Sequence, residues 1–144
     1  MFRFRQFSVS HSRSTMKVGT DGVLLGAWAE THAAQNILDI GTGCGLIALM
    51  AAQRNPTANV TAIDIDQASI DEATENFQAS PFAERLQALQ TDIQTFSTQP
   101  NAFQYDCILS NPPFFTETLL SPNPTRAAAR SVEGGLSFAA LIES

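Results

Sequence analysis

Four short stretches hold the residues that could do chemistry. Asp39-Ile40-Gly41-Thr42-Gly43-Cys44-Gly45 sets glycines at alternate positions behind a carboxylate, at the end of the apolar run Asn36-Ile37-Leu38-Asp39-Ile40. Glycines so spaced permit a tight turn and let backbone approach a ligand at the carboxyl end of a strand. In Ala62-Ile63-Asp64-Ile65-Asp66, Asp64 is placed at a strand end, where a carboxylate can accept hydrogen bonds from both hydroxyls of a ribose; Asp66 is expected to cap the next helix. Thr91-Asp92-Ile93 adds another acid, which read by itself is a helix cap. The fourth stretch, Ser110-Asn111-Pro112-Pro113-Phe114-Phe115, is the most specific. An exocyclic amine on a nucleobase is a poor nucleophile because its lone pair is delocalised into the ring. If the Asn111 carboxamide oxygen and the Pro112 carbonyl each accept one amine hydrogen, the lone pair turns out of the ring plane toward an electrophile. The two prolines fix φ and hold that carbonyl outward, and Phe114 offers a face on which an extruded base can stack. Such a reaction rests on positioning and on stabilising developing positive charge, with no metal and no covalent intermediate.

Alternating strands and helices must present these residues. Residues 36–40 read as a strand, Leu46 to Arg54 as a helix stopped by Asn55-Pro56, Val60 to Ile63 as a β-branched strand, and Gln67 to Ala79 as a helix with Ile70, Ala73 and Phe77 on one face. Leu86 to Gln90 is a weaker strand, and Tyr105 to Ser110 is a fourth, closed by Asn111-Pro112-Pro113. This order predicts a parallel sheet covered on both faces, hence an α/β, doubly wound fold. Before the first of these strands, residues 22–30 place Leu24, Leu25 and Trp28 at helical spacing, and Phe2 and Phe4 alternate with Arg3 and Arg5 as in a short strand. Thr116 to Arg130 reads as a polar loop, and Ser137 to Glu143 as the start of a further helix.

The 144 residues are 44% hydrophobic and 15% charged, enough to bury one core and unlike a disordered chain. No apolar run approaches the roughly 18 to 20 residues of a membrane span, so a cytoplasmic protein is expected. Cys44 and Cys107 belong to no CxxC pattern and have no clustered histidines, which argues against a zinc site and a disulfide scaffold. The net charge of −6 is unevenly placed: residues 1–20 carry Arg3, Arg5, Arg13 and Lys17 without an acid, and the remainder carries −10. A basic arm on an acidic body is compatible with contacting phosphate, and equally with a solvated terminal strand.

The glycine motif is not the dinucleotide fingerprint, which needs glycine or alanine where Leu46 stands. Its G-x-G-x-G spacing behind an acid is similar to that of S-adenosylmethionine-binding methyltransferases. With the NPP-aromatic motif, the chain resembles the class I methyltransferases from about Phe2 to its end. The resemblance implies a Rossmann-like sheet and S-adenosyl-L-methionine as cofactor. The cofactor would be held by Asp39, Gly41, Gly43, Gly45, Asp64, Ile65, Asp92, Ile93 and Asn111, with Asp92 near the adenine amine and Ile93 against its ring. It also implies Asn111, Pro112, Pro113 and Phe114 as catalytic residues.

The string Phe4-Arg5-Gln6-Phe7, His11 and Met16-Lys17-Val18-Gly19-Thr20-Asp21-Gly22-Val23-Leu24-Leu25-Gly26-Ala27-Trp28 is similar to the branch that methylates the N6 amine of an adenosine beside the anticodon of a valine tRNA. That branch packs this segment over the methionine end of the cofactor, which implies roles for Thr20, Asp21 and Gly22; otherwise they are a turn and a helix start. A tRNA partner follows from the resemblance, with Arg3, Arg5, Lys17, Arg126 and Arg130 near the phosphates. The NPP-aromatic motif alone leaves the acceptor open, since it also serves guanine-N2 in ribosomal RNA and glutamine side chains in proteins. A non-catalytic nucleotide-binding fragment is the remaining alternative. Complete sheets of this family have seven strands and four are legible here. The expectation is therefore a basic, cofactor-covering arm over residues 1–35 and a methyltransferase core over 36–144 that lacks its C-terminal strands.

Overall fold

The computed structural model describes residues 1–100 and 105–112. Pro113, Phe114, Arg126 and Arg130 lie outside the described residues. Two short strands, β1 (Phe2–Arg3) and β2 (Ser8–Val9), pair antiparallel as a hairpin. Then follow α1 (Thr20–Trp28), β3 (Asn36–Ile40), α2 (Leu46–Arg54), β4 (Asn59–Asp64), α3 (Gln67–Gln78), a 3-10 turn at Ala83–Arg85, β5 (Leu86–Gln90), α4 (Ile93–Ser97) and β6 (Cys107–Ser110). The last four strands form one parallel sheet in the order β5-β4-β3-β6. β3 is central because it is apolar on both faces: Ile37 packs with α2 and α3, and Leu38 and Ile40 pack with Ile63, Ile93 and Phe96 on the other side. The predicted α/β, doubly wound order is present, and α4 is a helix the sequence reading did not place.

The packing of α1 departs from expectation. Its buried residues are Gly22 and Gly26, whereas Leu24 is 60% and Trp28 86% exposed. A Cβ at Gly26 would stand 2.6 Å from the sulfur of Met50, so the glycine face is what allows α1 to lie close against α2. Close backbone approach at the two glycines sets the inward face, with Val23 and Leu25 packing partly against the core beside it. The carbonyls at the end of α1 are then capped by Arg54, which donates to the oxygens of Gly26 and Ala29, and Arg85 does the same for α2 at Ala52 and Asn55.

Between β3 and α2 the chain reverses through Gly41, Gly43 and Gly45, with φ of +71°, +56° and +82°. Side chains of L-residues seldom adopt that region. At Gly45 space is also lacking, because a Cβ would fall 2.5 Å from Cε1 of Phe77 on α3. β4 pins the turn from one side, the Ile63 carbonyl accepting from the amides of Gly41 (2.9 Å) and Thr42 (3.1 Å). β3 pins it from below. Asp39 is fully buried and accepts the Thr42 hydroxyl at 2.6 Å through Oδ2, while its Oδ1 has no partner among the described residues. Burial, opposed by the Thr42 hydroxyl, raises the Asp39 carboxyl to about 7.

Two outcomes follow for stability. Gly45→Ala combines a left-handed backbone, about 1–2 kcal/mol, with overpacking against Phe77, about 1–3 kcal/mol, so urea unfolding is expected to show a loss of about 2–5 kcal/mol. Asp39 has its folded value near 7, above its unfolded value, so its contribution is complete in acid and is lost as pH rises through 7. Urea unfolding at stepped pH is therefore expected to show Asp39→Asn gaining on the native protein between pH 4 and 7, with no further change above.

Candidate functional site

A cleft of about 330 Å³ opens at the carboxyl ends of β3 and β6. The glycine turn (Gly41, Thr42, Gly43, Cys44) and the start of α2 (Leu46, Ile47) form one wall. The opposite wall is the arm from Met16 to Gly19 and the first turn of α1, with Thr20, Asp21 and Gly22. Asn111 closes the cleft from the tip of β6. Parallel pairing of Ile40 with Ser110, reinforced by the Ser110 hydroxyl on the Ile40 carbonyl at 3.0 Å, brings the glycine turn and Asn111 out of the sheet side by side. Gly22 makes the room: a Cβ there would lie 3.3 Å from Cδ2 of Leu46 and 3.7 Å from Nδ2 of Asn111. Residues 41–44 of the glycine turn and Asn111, far apart in sequence, thus share one cavity with Thr20, Asp21 and Gly22.

The electrostatics of this end are set by carboxylates. Asp64, half-buried at the end of β4, accepts the Gly43 amide at 2.9 Å through one oxygen and the Asp66 amide at 3.0 Å through the other. Burial raises its pKa, opposed by those two amides. Each oxygen keeps a second lone pair for a further donor. The amino terminus of α1 has no side-chain cap at Gly19, and the Val23 amide is the first to close on the Gly19 carbonyl, so the amides of residues 20–22 are free of intrahelical partners. Cys44 is a buried free thiol whose pKa burial pushes up to about 11, which makes it inert.

Other expected residues stand apart from the cleft. Asp39 is buried beneath the turn and does not line the cavity. Gly45 opens α2, and Ile65 is exposed beyond β4. Asp92 caps α4, accepting the amide of Thr95 at 2.8 Å and its hydroxyl at 2.7 Å, and those bonds, the hydroxyl's first, lower its pKa. Ile93 is buried against Leu38, Ile40 and Ile63. Asp64, Ile65, Asp92 and Ile93 continue along the same carboxyl edge, after β4 and β5. Pro112 is buried. Asp66 caps α3 as expected, accepting the Ser69 amide at 2.9 Å.

The Lys17 ammonium is held against the arm by the carbonyls of His11 (2.6 Å), Ser12 (2.9 Å) and Ser14 (3.2 Å). Arg13 pairs with Glu75. Arg3 and Arg5 make no hydrogen bond or ion pair among the described residues, and they do not line the cleft. Their hairpin packs through Phe4 on Phe7, and through Phe7 on Phe82, which follows the carboxyl end of α3. Met16, Val18 and Gly19 went without individual roles in the sequence, and Glu72 and Asn76 on α3, which hold the arm, were missed. Their one sequence signal is a polar stripe beside the apolar stripe at 70, 73 and 77.

Comparison with known proteins agrees with this geometry. A tRNA1(Val) (adenine(37)-N6)-methyltransferase of Parabacteroides distasonis is 52% identical over 132 residues, covering 92% of this chain and 55% of that protein. A protein of the same name from Bacteroides fragilis is 46% identical over 142 residues, covering 99% of this chain and 59% of its own length. The chain thus spans less than two thirds of the curated relatives it matches. Among solved structures, TrmK of M. capricolum in complex with S-adenosyl-homocysteine superposes with a TM-score of 0.55 at 17% identity, over 66% of this chain and 41% of that one. At that identity the likeness is one of fold. The sequence profile of the methyltransferase small domain matches residues 3–131, and the chain belongs to that family.

Proposed function

We propose that this chain carries the cofactor-binding and base-orienting part of an S-adenosylmethionine-dependent methyltransferase acting on the N6 amine of an adenosine in tRNA, in the cytoplasm. The observation that carries the reading is Asn111 at the tip of β6, lining the same cleft as Gly41 and Gly43. The names borne by the relatives at 46–52% identity support the acceptor.

The residues present suit the cofactor. Asp64 has lone pairs left for ribose hydroxyls, and the uncapped amides at the start of α1 suit a carboxylate. Asp21, in that first turn, suits an ammonium group. Leu46, already in contact range of Gly22, fills the space a dinucleotide's pyrophosphate would need. When bound, S-adenosylmethionine supplies a methyl group made electrophilic by its sulfonium. The protein's part is to place and prepare the amine. The Asn111 oxygen and the Pro112 carbonyl would accept the two amine hydrogens and turn the lone pair toward the methyl carbon, their dipoles stabilising the positive charge on nitrogen; the N–C bond would form as the S–C bond breaks with its electron pair left on sulfur, and the nitrogen would return to neutrality by releasing one proton to solvent. Phe114 stacks on the base. Arg3 and Arg5, which make no ion pair among the described residues, meet tRNA phosphates.

Asn111→Ala is expected to lower methyl transfer by on the order of 100-fold or more while S-adenosylhomocysteine affinity stays within a few-fold. Turnover is read by mass analysis of nucleosides from tRNA incubated with labelled cofactor, and normal turnover would remove the amine-orienting role. The same assay tests the acceptor, since label in a nucleoside other than N6-methyladenosine overturns the adenosine assignment. In calorimetry, S-adenosylhomocysteine is expected to bind and NAD not to; the reverse would make the glycine turn a dinucleotide site.

A further inference from the structure

Beside its apolar stripe, α3 carries a second one that is polar and nevertheless buried: Ser69, Glu72 and Asn76, exposed by 0%, 0% and 5%. Burying a carboxylate costs several kcal/mol unless it is fully hydrogen-bonded. Glu72 has its donors, and all of them come from one segment of the arm. Its Oε1 accepts the Ser10 hydroxyl (3.0 Å) and the amide (2.7 Å) and hydroxyl (3.0 Å) of Ser12, and its Oε2 accepts the amides of Arg13 (3.1 Å) and Ser14 (2.8 Å). Among the described residues it has no ion-pair partner, the Arg13 guanidinium pairing with Glu75 instead. Burial alone would raise the Glu72 carboxyl, but these donors bring it down to about 2, so it is ionised wherever the protein is folded near neutral pH.

Asn76, one turn further along α3, accepts the Ser10 amide at 2.8 Å and donates to two carbonyls at 2.8 Å, those of Ser10 and of Cys44 in the glycine turn. One side chain therefore ties the arm to the turn. The arm's own carbonyls are gathered by Lys17, and the Val18 amide is held by Nδ1 of His11 at 3.2 Å. The chain that leaves this clasp is Met16 to Gly19, the cleft wall, where Met16 passes 3.7 Å from the Cβ position of Gly43. Mere attachment of the arm would be served as well by apolar contacts. Amides 12–14 converge on one carboxylate in a single backbone conformation, so what Glu72 adds is direction.

We propose that Glu72 and Asn76 are positioning residues for the cofactor: by clasping Ser10 to Ser14 and the Cys44 carbonyl, they hold the Met16–Gly19 wall opposite the glycine turn. The inference rests on the reading that S-adenosylmethionine occupies this cleft. Neither residue touches the cofactor; a loosened arm must be ordered again at each binding event, and affinity falls by the fraction of time it is out of place.

The test uses the whole chain with Glu72→Gln, and with Ser10→Ala/Ser12→Ala in case the first variant does not fold, since the double variant leaves α3 intact and keeps the backbone donors. Calorimetry with S-adenosylhomocysteine, well below each variant's melting temperature, is paired with amide hydrogen exchange on the ligand-free protein. Glu72→Gln is expected to weaken binding at least tenfold and the serine double variant about threefold or more. Exchange at residues 12–14 and 18 should accelerate while β3 and β4 keep their protection, and in turnover the cofactor KM should rise with kcat unchanged. Affinity within twofold of the native protein, or weakened binding with undisturbed arm exchange, overturns the positioning role and leaves the cofactor reading intact. A native protein that does not bind S-adenosylhomocysteine overturns the cofactor reading, and this inference with it.

Discussion

The reversal between β3 and α2 is the constraint on which the rest depends. Three left-handed glycines within five residues are an unfavourable ordering unless each backbone group is claimed from outside. They are claimed from three elements: Ile63 and Asp64 on β4 take the amides of Gly41, Thr42 and Gly43, Asp39 on β3 takes the Thr42 hydroxyl, and Asn76 on α3 gives to the Cys44 carbonyl. Because those elements are locked in one parallel register, the turn is rigid, and the cleft inherits that rigidity.

Three carboxylates withdrawn from solvent meet burial in three ways. Glu72 is satisfied by amides and hydroxyls of the arm and stays strongly acidic. Asp64 is held by one amide on each oxygen and shifts upward, retaining capacity for more donors. Asp39 has one oxygen satisfied and one orphaned, and its pKa is raised to about 7. The order follows from the balance, at each carboxylate, between the donors supplied and the cost of leaving water. An acid-rich body with few bases thus uses backbone amides where another protein would place cations, which is why ion pairs contribute so little to its interior.

The cations do structural work in return. Arg54 and Arg85 close the carboxyl ends of helices, and Lys17 closes the carbonyls of the arm. Of the four bases at the N-terminus, Arg13 is paired with Glu75 and Lys17 is held by carbonyls of the arm, while Arg3 and Arg5 make no such contact among the described residues.

Composition and spacing alone determined the α/β order, the bounds of β3, α2 and β5 to the residue, the glycine turn and the Asp66 cap, because each is set by local chemistry: apolar period, β-branching, left-handed glycine, and a side-chain oxygen within reach of its own helix. They also marked Asn111 as unusual, since a strand ending in Asn-Pro-Pro has few other uses. What they could not decide was which face of α1 turns inward, because Leu24 and Trp28 look like core until Gly26 is seen against Met50. Nor could they show that Lys17 is spent within the arm, or that Glu72 and Asn76 carry the arm to the glycine turn. Those facts reside in contacts between residues tens of positions apart. The free energy of a hydrogen bond or a close approach belongs to the pair, and only the folded chain says which pairs exist.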